Sequence, residues 1–138
     1  MAAAAALVFI AGYWAGQVQT VRAQSKRVFE LRTYHALEGK LDALNTRFRD
    51  HTVKLFAKHG IPQFGYWVPV KGQKGAEDTL IYILAHKSKV AADESFKAFR
   101  ADPDWTSAKA ASEKDGALTA SSGVKSVFMT PTDYSQSK

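Results

Sequence analysis

The architecture of the chain follows most directly from one stretch, Val28-Phe29-Glu30-Leu31-Arg32-Thr33-Tyr34. Strict alternation over these residues predicts a β-strand whose two faces differ in polarity. One face carries Phe29, Leu31 and Thr33, and the other carries Glu30, Arg32 and Tyr34. The apolar face suits a packed core, whereas the charged and aromatic face suits solvent or a wet cavity. The second face of this strand is therefore a candidate binding surface.

A helix is predicted directly after this strand, over residues 38–59, because apolar side chains recur there at helical spacing. On this spacing Arg47 belongs to the solvent side of the helix and His51 to its apolar side. Gly60 stands where a left-handed residue commonly ends a helix, and Pro62 prevents continuation.

The remaining elements are predicted from turn signals and hydrophobic runs. They are a strand over 61–70, a loop over 71–77, a strand over 78–86, a helix with Ser88 as its N-cap, a short helix from Asp102 to about 112, a loop over 115–123 and a strand over 124–130. Asp102 is predicted to cap the short helix, with Trp105 attaching the preceding helix to the body.

This order predicts an α+β fold, a ferredoxin-like βαββαβ unit with a four-stranded antiparallel sheet and both helices on one face. If Ile81 and Ile83 point at the helices, the uncovered face carries the polar side of the first strand together with Leu80, Tyr82, Leu84 and His86. Apolar groups on an uncovered face need a partner, and a second copy is the simplest one. We therefore expect a homodimer, a dimeric α/β barrel that encloses a shared cavity.

Residues 1–23 are predicted to be a signal peptide or an N-terminal membrane anchor, an apolar leader helix in either case. The apolar run over 2–16 is shorter than the roughly 20 residues that span a bilayer, and Val21-Arg22-Ala23 resembles a signal-peptidase site. Secretion or export to the periplasm is expected, with anchoring by an uncleaved leader as the alternative and the only membrane contact. The other segments are a linker over 24–27, the folded domain over 28–131 and a polar tail over 132–138.

The composition excludes several classes of protein. The chain has no cysteine, so it has neither disulfides nor thiolate sites. The formal net charge is +6, but basic and acidic residues alternate without a basic block, which is unlike a nucleic-acid-binding surface. The sequence has no nucleotide-binding glycine motif and no pair of histidines at metal-ligand spacing. We therefore expect neither nucleic acid nor a metal ion as a partner.

Several short motifs together resemble a NIPSNAP domain, from about Val28 to Thr130. The motifs are Phe29-Glu30-Leu31-Arg32-Thr33-Tyr34, Gly39-Lys40-Leu41, Phe48-Arg49-Asp50-His51, Lys58-His59-Gly60-Ile61, Gly65-Tyr66-Trp67 and Ala101-Asp102-Pro103-Asp104-Trp105. The resemblance implies the dimeric α+β barrel superfamily, in agreement with the fold expected from the element order. It implies no settled enzymatic activity.

The candidate ligand-binding residues are charged or aromatic side chains, Glu30, Arg32, Tyr34, Trp67 and Tyr82. Arg32, paired with Glu30, could bind a carboxylate or enolate through two hydrogen bonds, and a tyrosine could donate to a ligand oxygen. The structural alternatives are a solvated or cross-dimer ion pair and aromatic rings that only fill the barrel.

Two histidines, His51 and His86, are candidate catalytic residues because either could move a proton at the cavity. His51 could also bind haem iron there. Structural alternatives are a hydrogen-bonded core histidine for His51 and a surface position for His86. His59, next to Gly60, is predicted to stabilise the end of its helix through the last carbonyls.

Two functions are compatible with these residues. The favoured one is an exported dimeric barrel protein that binds a small, partly apolar, anionic ligand in the barrel cavity without a cofactor. The alternative is an enzyme similar to the cofactor-independent monooxygenases, in which Arg32 holds an enolate and His51 or His86 moves the proton. A haem binder is a third hypothesis. The enzyme hypothesis requires a histidine nitrogen and the Arg32 guanidinium to converge on one enclosed volume.

Overall fold

The computed structural model describes residues 27–137. The strands are β1 (Val28–Ala36), β2 (Gln63–Trp67), β3 (Thr79–His86) and β4 (Thr119–Met129). The helices are α1 (Leu41–Arg47), a π-helical segment (Phe48–Thr52), α2 (Val53–Lys58), α3 (Lys89–Ala101) and α4 (Pro103–Ser112). The predicted leader over 1–23 lies outside the described residues.

The four strands form one antiparallel sheet in the order β2-β3-β1-β4. This order is the one that two split β-α-β units produce, because each crossover leaves room for one antiparallel strand between its two strands. The predicted α+β class with a four-stranded antiparallel sheet is confirmed. Within residues 27–137 no helix has the length and apolar character needed to cross a bilayer.

The helices cover the face of the sheet that carries Glu30, Arg32 and Tyr34, so the predicted assignment of the two faces is wrong. The main core joins Leu80, Tyr82 and Leu84 of β3 to apolar side chains of the helices, Leu44, Phe48, Leu55, Phe56, Phe96 and Phe99. Arg32 and Tyr82 are paired in register on neighbouring strands, and therefore share this covered face. The uncovered face instead carries the odd-numbered side chains of β1 and β3.

The uncovered face is largely apolar. It consists of Phe29, Leu31, Phe64, Trp67, Ile81, Ile83, Val127 and Met129, with Thr33 and Lys125 at one end. Phe64 is 53% exposed and Val127 is 55% exposed. Residues of the segment from Thr130 to Ser137 border this face beside Phe29, Phe64, Ile83 and Met129.

The first helical region is less regular than predicted, because a π-helical turn interrupts it at Phe48–Thr52. The hydroxyl of Thr52 donates to the carbonyl of Arg47, five residues earlier, at 3.3 Å. The wider turn places Thr52 in the core, where it is 1% exposed, and His51 in solvent. The prediction that His51 lies on the apolar side is therefore wrong. The prediction that Arg47 lies on the solvent side is also wrong, because Arg47 follows the buried Leu44 by three residues in α1 and is buried with it.

Predictions that depend on local chemistry are confirmed. The hydroxyl of Ser88 accepts a hydrogen bond from the Ala91 backbone N–H at 3.1 Å, as an N-cap does. Asp102 accepts from the Asp104 N–H at 2.9 Å and caps α4. Trp105 packs on Phe99 of α3, with ring centroids 4.5 Å apart. Gly60 has a positive φ of 64° and ends α2.

The last strand starts earlier than predicted, at Thr119 rather than at 124. Pairing with β1 slips between Tyr34 and Ala36, and Gly123 lies at this irregularity. A Cβ atom on Gly123 would lie 2.7 Å from the His35 carbonyl oxygen. The small residues that suggested a loop therefore allow close contact between two backbones.

Candidate functional site

A cavity of about 400 Å³ lies between the helical layer and the sheet of this single chain. Its walls come from β1, the α1 region with its π-helical turn, α3, α4 and the start of β4. Its charged and aromatic lining residues include Arg32, Tyr34, Arg47, Phe96, Phe99, Arg100, Trp105, Lys109 and Glu113. The cavity therefore lies on the covered side of the sheet, and not on the side where the sequence predicted a cavity shared by two chains.

One wall of the cavity is aromatic. The Phe96 and Phe99 ring centroids are 6.3 Å apart, and the Phe99 and Trp105 centroids are 4.5 Å apart. Phe96 and Phe99 follow each other by three residues on α3, which places both on the face that packs toward the sheet. Such a surface favours a flat, apolar ligand body.

At one end of this wall, Arg32 is held by a buried acid. Its Nη1 donates to Glu30 Oε1 at 2.8 Å, and its guanidinium carbon lies 4.7 Å from the Phe96 ring centroid. Glu30 is 2% exposed, and it also accepts from the Ser126 hydroxyl at 2.5 Å and lies 2.9 Å from His86 Nε2. These contacts fix the guanidinium in one orientation at the cavity.

The Glu30 carboxyl is ionised despite its burial. Burial alone raises its pKa, but the hydrogen bonds with His86 and Ser126 and the charge of Arg32 outweigh that effect and lower the pKa below its ordinary value. Arg32 therefore has a permanent counter-ion behind it, on the side away from the cavity.

At the other end of the wall lies a second arginine, Arg47, which is buried. It is 5% exposed, and its Nη1 donates to Glu113 Oε1 at 2.8 Å and to the Ser112 hydroxyl at 3.3 Å. Its guanidinium carbon lies 5.3 Å from the Trp105 ring centroid. Glu113 also pairs with Lys109. Burial raises the Glu113 pKa, but Lys109 and Arg47 together lower it below its ordinary value.

Two tyrosines form a relay that ends at the cavity. The fully buried Tyr82 hydroxyl donates to the Tyr34 hydroxyl oxygen at 3.2 Å, and the two rings are stacked with centroids 5.5 Å apart. Burial first, and then the nearby Tyr34, raises the pKa of Tyr82, so Tyr82 stays protonated. Because Tyr34 accepts this hydrogen bond, its own proton is available for an acceptor in the cavity.

The structure separates the five predicted ligand-binding residues into three groups. Arg32 and Tyr34 line the cavity. Glu30 and Tyr82 lie behind them and contact them directly. Trp67 is on the opposite, uncovered face of the sheet, paired in register with Ile81.

The two candidate catalytic histidines do not reach the cavity. His51 is exposed on the outside of the helical layer, beside Lys54 and Asp104. His86 is 2% exposed, and its ring contacts Glu30, Phe96 and Phe128. Among residues 27–137 no histidine lines the cavity, and no three His, Asp or Glu side chains are grouped as metal ligands. The convergence of a histidine and Arg32 that the enzyme hypothesis requires is absent from this part of the chain.

Sequence reasoning missed Arg47, Trp105 and Glu113 as cavity residues. Arg47 is charged and was therefore assigned to the solvent side, but it lies three residues after the buried Leu44 and pairs with Glu113 inside the molecule. Trp105 was identified as a packing residue, and that role is real, but its ring also borders the cavity. Glu113 gave no signal in the sequence, because its contact with Arg47 joins residues 66 positions apart.

Comparison with known proteins gives the chain a family. The NIPSNAP family model matches residues 29–136. A NIPSNAP family protein of unknown function from Agrobacterium tumefaciens is 22% identical, with 83% of this chain and 96% of that chain covered and a TM-score of 0.68. A second NIPSNAP family protein from the same organism is 20% identical, with 81% and 99% covered and a TM-score of 0.68.

The fold extends to a more distant protein. A monooxygenase from Streptomyces coelicolor, solved in complex with the ligand nanaomycin D, is 15% identical, with 78% of this chain and 89% of that chain covered and a TM-score of 0.51. That similarity concerns the fold alone. No match was found among curated proteins. Because the family model spans nearly all of the described part of the chain, the chain belongs to the NIPSNAP family.

Proposed function

We propose that this protein binds a small, partly apolar, anionic ligand in the cavity between its helices and its sheet. One observation carries the proposal: an aromatic wall, the half-buried Arg32 and the buried Arg47 line the same cavity of about 400 Å³. Cavities of this size accept small organic molecules, and a few fixed polar groups give them specificity. The anionic preference follows from the guanidinium groups, which recognise carboxylates through paired hydrogen bonds.

Each residue has a distinct role in this proposal. Arg32 contacts the anionic group, Tyr34 donates a hydrogen bond to the same ligand, and Phe96, Phe99 and Trp105 contact its apolar body. Glu30 is a positioning residue because it holds Arg32 from behind. Each protomer has a complete site, in contrast to the shared cavity predicted from the sequence.

The oxygenase alternative has less support. A monooxygenase shares the fold, and binding of an enolate by Arg32 would suit such chemistry. However, the proton would need an acceptor at the cavity, and His51 and His86 are elsewhere. The haem alternative meets the same difficulty, because His51 faces solvent and His86 is engaged by Glu30.

We further propose a homodimer formed through the uncovered face of the sheet. Half-buried and exposed apolar side chains cover that face, and monomeric proteins rarely leave such a surface in water. A second copy would supply an equally apolar face across a two-fold axis. The same proposal includes export, with residues 1–23 removed as a signal peptide or retained as a membrane anchor.

Binding of 2-naphthoate, measured by isothermal titration calorimetry, tests the ligand proposal. Arg32→Lys keeps a positive charge beside Glu30 but loses the planar guanidinium. Charged hydrogen bonds contribute about 1.5–3 kcal/mol, so we expect the affinity for 2-naphthoate to fall by about tenfold or more. The uncharged 2-naphthamide should bind equally well to both proteins.

The matched control is Arg49→Lys. Arg49 is an exposed arginine of the π-helical segment and does not line the cavity. This variant should leave naphthoate binding unchanged. An Arg32→Lys protein that folds and binds 2-naphthoate as tightly as the wild type would contradict the proposal, as would a wild type that binds no aromatic carboxylate.

A further inference from the structure

We propose that the ligand carries two anionic groups, one at each end of a flat apolar body, and that Arg32 and Arg47 each bind one of them. This inference rests on the proposed function and adds the charge and shape of the ligand. It makes Arg47 a second binding residue for the same cavity.

The first evidence is a pair of unsatisfied donors. In the described part of the chain, the buried side-chain polar atoms that lack a hydrogen-bond partner are Arg32 Nε and Arg47 Nε. Buried donors without partners are rare in folded proteins, because each costs about 1–3 kcal/mol. Both atoms belong to residues that line one cavity, but neither atom is itself open to solvent, so a ligand would satisfy both only after the two arginine side chains shift toward it.

The two arginines are engaged in the same way. In each, Nη1 donates to a carboxylate of the protein, Glu30 for Arg32 and Glu113 for Arg47, at 2.8 Å. In each arginine the Nε–H has no partner, and this group belongs to the planar set of donors through which a guanidinium binds a carboxylate. The protein's own acids therefore orient both guanidinium groups and leave the Nε side for another anion.

The aromatic wall connects the two arginines. The Arg32 guanidinium carbon lies 4.7 Å from the Phe96 ring centroid, and the Arg47 guanidinium carbon lies 5.3 Å from the Trp105 centroid. Phe99 contacts both of those rings and so connects them. A ligand body stacked along this wall would have a cation at each end. A molecule with one anionic group would pair with only one of these two cations.

The formal charges agree with a dianion. The cavity is lined by four cationic side chains, Arg32, Arg47, Arg100 and Lys109. The acids that pair with them are Glu113 and, behind Arg32, Glu30. Two positive charges remain in excess. Arg100 and Lys109 are exposed and screened by water, so Arg32 and Arg47, which are less exposed, would dominate recognition.

Three pairs of probes test the inference in the wild-type protein, with affinities measured by calorimetry at one salt concentration. Each pair is an aromatic dicarboxylate and its monocarboxylate: terephthalate and benzoate, 2,6-naphthalenedicarboxylate and 2-naphthoate, biphenyl-4,4′-dicarboxylate and biphenyl-4-carboxylate. We expect the dicarboxylate of one length to bind about tenfold tighter than its partner, since a second charged contact is added. That length reports the separation of the two guanidinium groups.

Arg47→Lys, which keeps the charge next to Glu113, should remove most of the dicarboxylate preference, measured as the ratio of the two affinities within the best pair. Equal affinities within all three pairs in the wild type would overturn the dianion inference while the proposed function stands. A preference that persists undiminished in a folded Arg47→Lys protein would also overturn it. If no carboxylate binds the wild type, both the dianion inference and the proposed function are wrong.

Discussion

At the scale of single residues, Asp102 illustrates how one side chain joins three parts of the molecule. It caps α4 through the Asp104 N–H, and its other oxygen lies 2.5 Å from His59 Nε2 and 2.8 Å from Lys58 Nζ. His59 was predicted to stabilise the end of α2 through backbone carbonyls, but its partner is this carboxylate. The contact ties the end of α2 to the junction of α3 and α4.

The acid stability of the protein should depend on Asp102. Hydrogen bonds from Lys58, His59 and the Asp104 N–H hold the pKa of this carboxyl below its ordinary value. The unfolded chain, with a pKa of about 4, takes up the proton first, so the stabilisation is complete at neutral pH and is lost as pH falls from about 4 through the folded pKa. We expect the difference in unfolding free energy between the wild type and Asp102→Asn to shrink over that range.

Urea unfolding at pH 7 and at several values between pH 4 and pH 2 measures this difference. Asn keeps the N-cap acceptor, so the comparison isolates the charge. Asp93→Asn, an exposed pair with Lys89, is the matched control and should show little effect at any pH. A difference for Asp102→Asn that stays constant down to pH 2 would contradict the linkage.

At the scale of elements, the π-helical turn does more than interrupt a helix. It places Thr52 inside and His51 outside, and Phe48 and Thr52 of this segment line the cavity. An uninterrupted α-helix would bring His51 toward the core instead. The cavity therefore owes the Thr52 side chain in its wall to a single wide turn.

The start of β4 offers a test of backbone contact between elements. In Gly123→Ala the new methyl group would lie 2.7 Å from the His35 carbonyl oxygen and 3.0 Å from that of Ala120, and neither backbone atom can move easily. We expect a loss of unfolding free energy of about 1–3 kcal/mol, the usual cost of overpacking. Chemical denaturation measures it.

Ser122→Ala is the control for this variant, because Ser122 is the exposed neighbour and should change stability by less than about 0.5 kcal/mol. A Gly123→Ala protein as stable as the wild type would mean that β4 does not approach β1 as closely as described.

At the scale of the whole molecule, the sheet separates two different environments. Its covered face holds the ion pairs, the stacked tyrosines and the cavity, and its uncovered face holds apolar side chains such as Val127 and Phe64. The proposed ligand site and the proposed dimer interface lie on opposite faces, so we expect that a substitution on one face will not directly affect the other.

Native mass spectrometry of the protein from its host tests the dimer and the leader together. We expect a dimer whose subunits begin at Gln24, and Val127→Lys should convert it to a monomer because a charge buried in an apolar interface is costly. Val90→Lys, an exposed valine on α3, is the control and should remain a dimer. A monomeric wild type would contradict the dimer, and subunits of full mass would favour the membrane anchor over a cleaved leader.

Local chemistry in the sequence determined the order of the elements, the caps at Ser88 and Asp102, and the end of α2 at Gly60. It also determined that Glu30, Arg32 and Tyr34 share one face of β1, because side chains alternate along any strand. These features depend on a few neighbouring residues. For the same reason the residues of β1 could be recognised as a site before their surroundings were known.

Tertiary structure alone decided which face of the sheet the helices cover. Periodicity divides the residues of a strand between two faces but does not say which face the helices cover. Both faces of β1 and β3 carry apolar or aromatic groups. The helices cover the face with the charges because Glu30, Arg32 and His86 satisfy one another there, which removes most of the cost of burial. The burial of Arg47 depends likewise on a carboxylate far along the chain, that of Glu113, which cannot be read from the neighbours of Arg47.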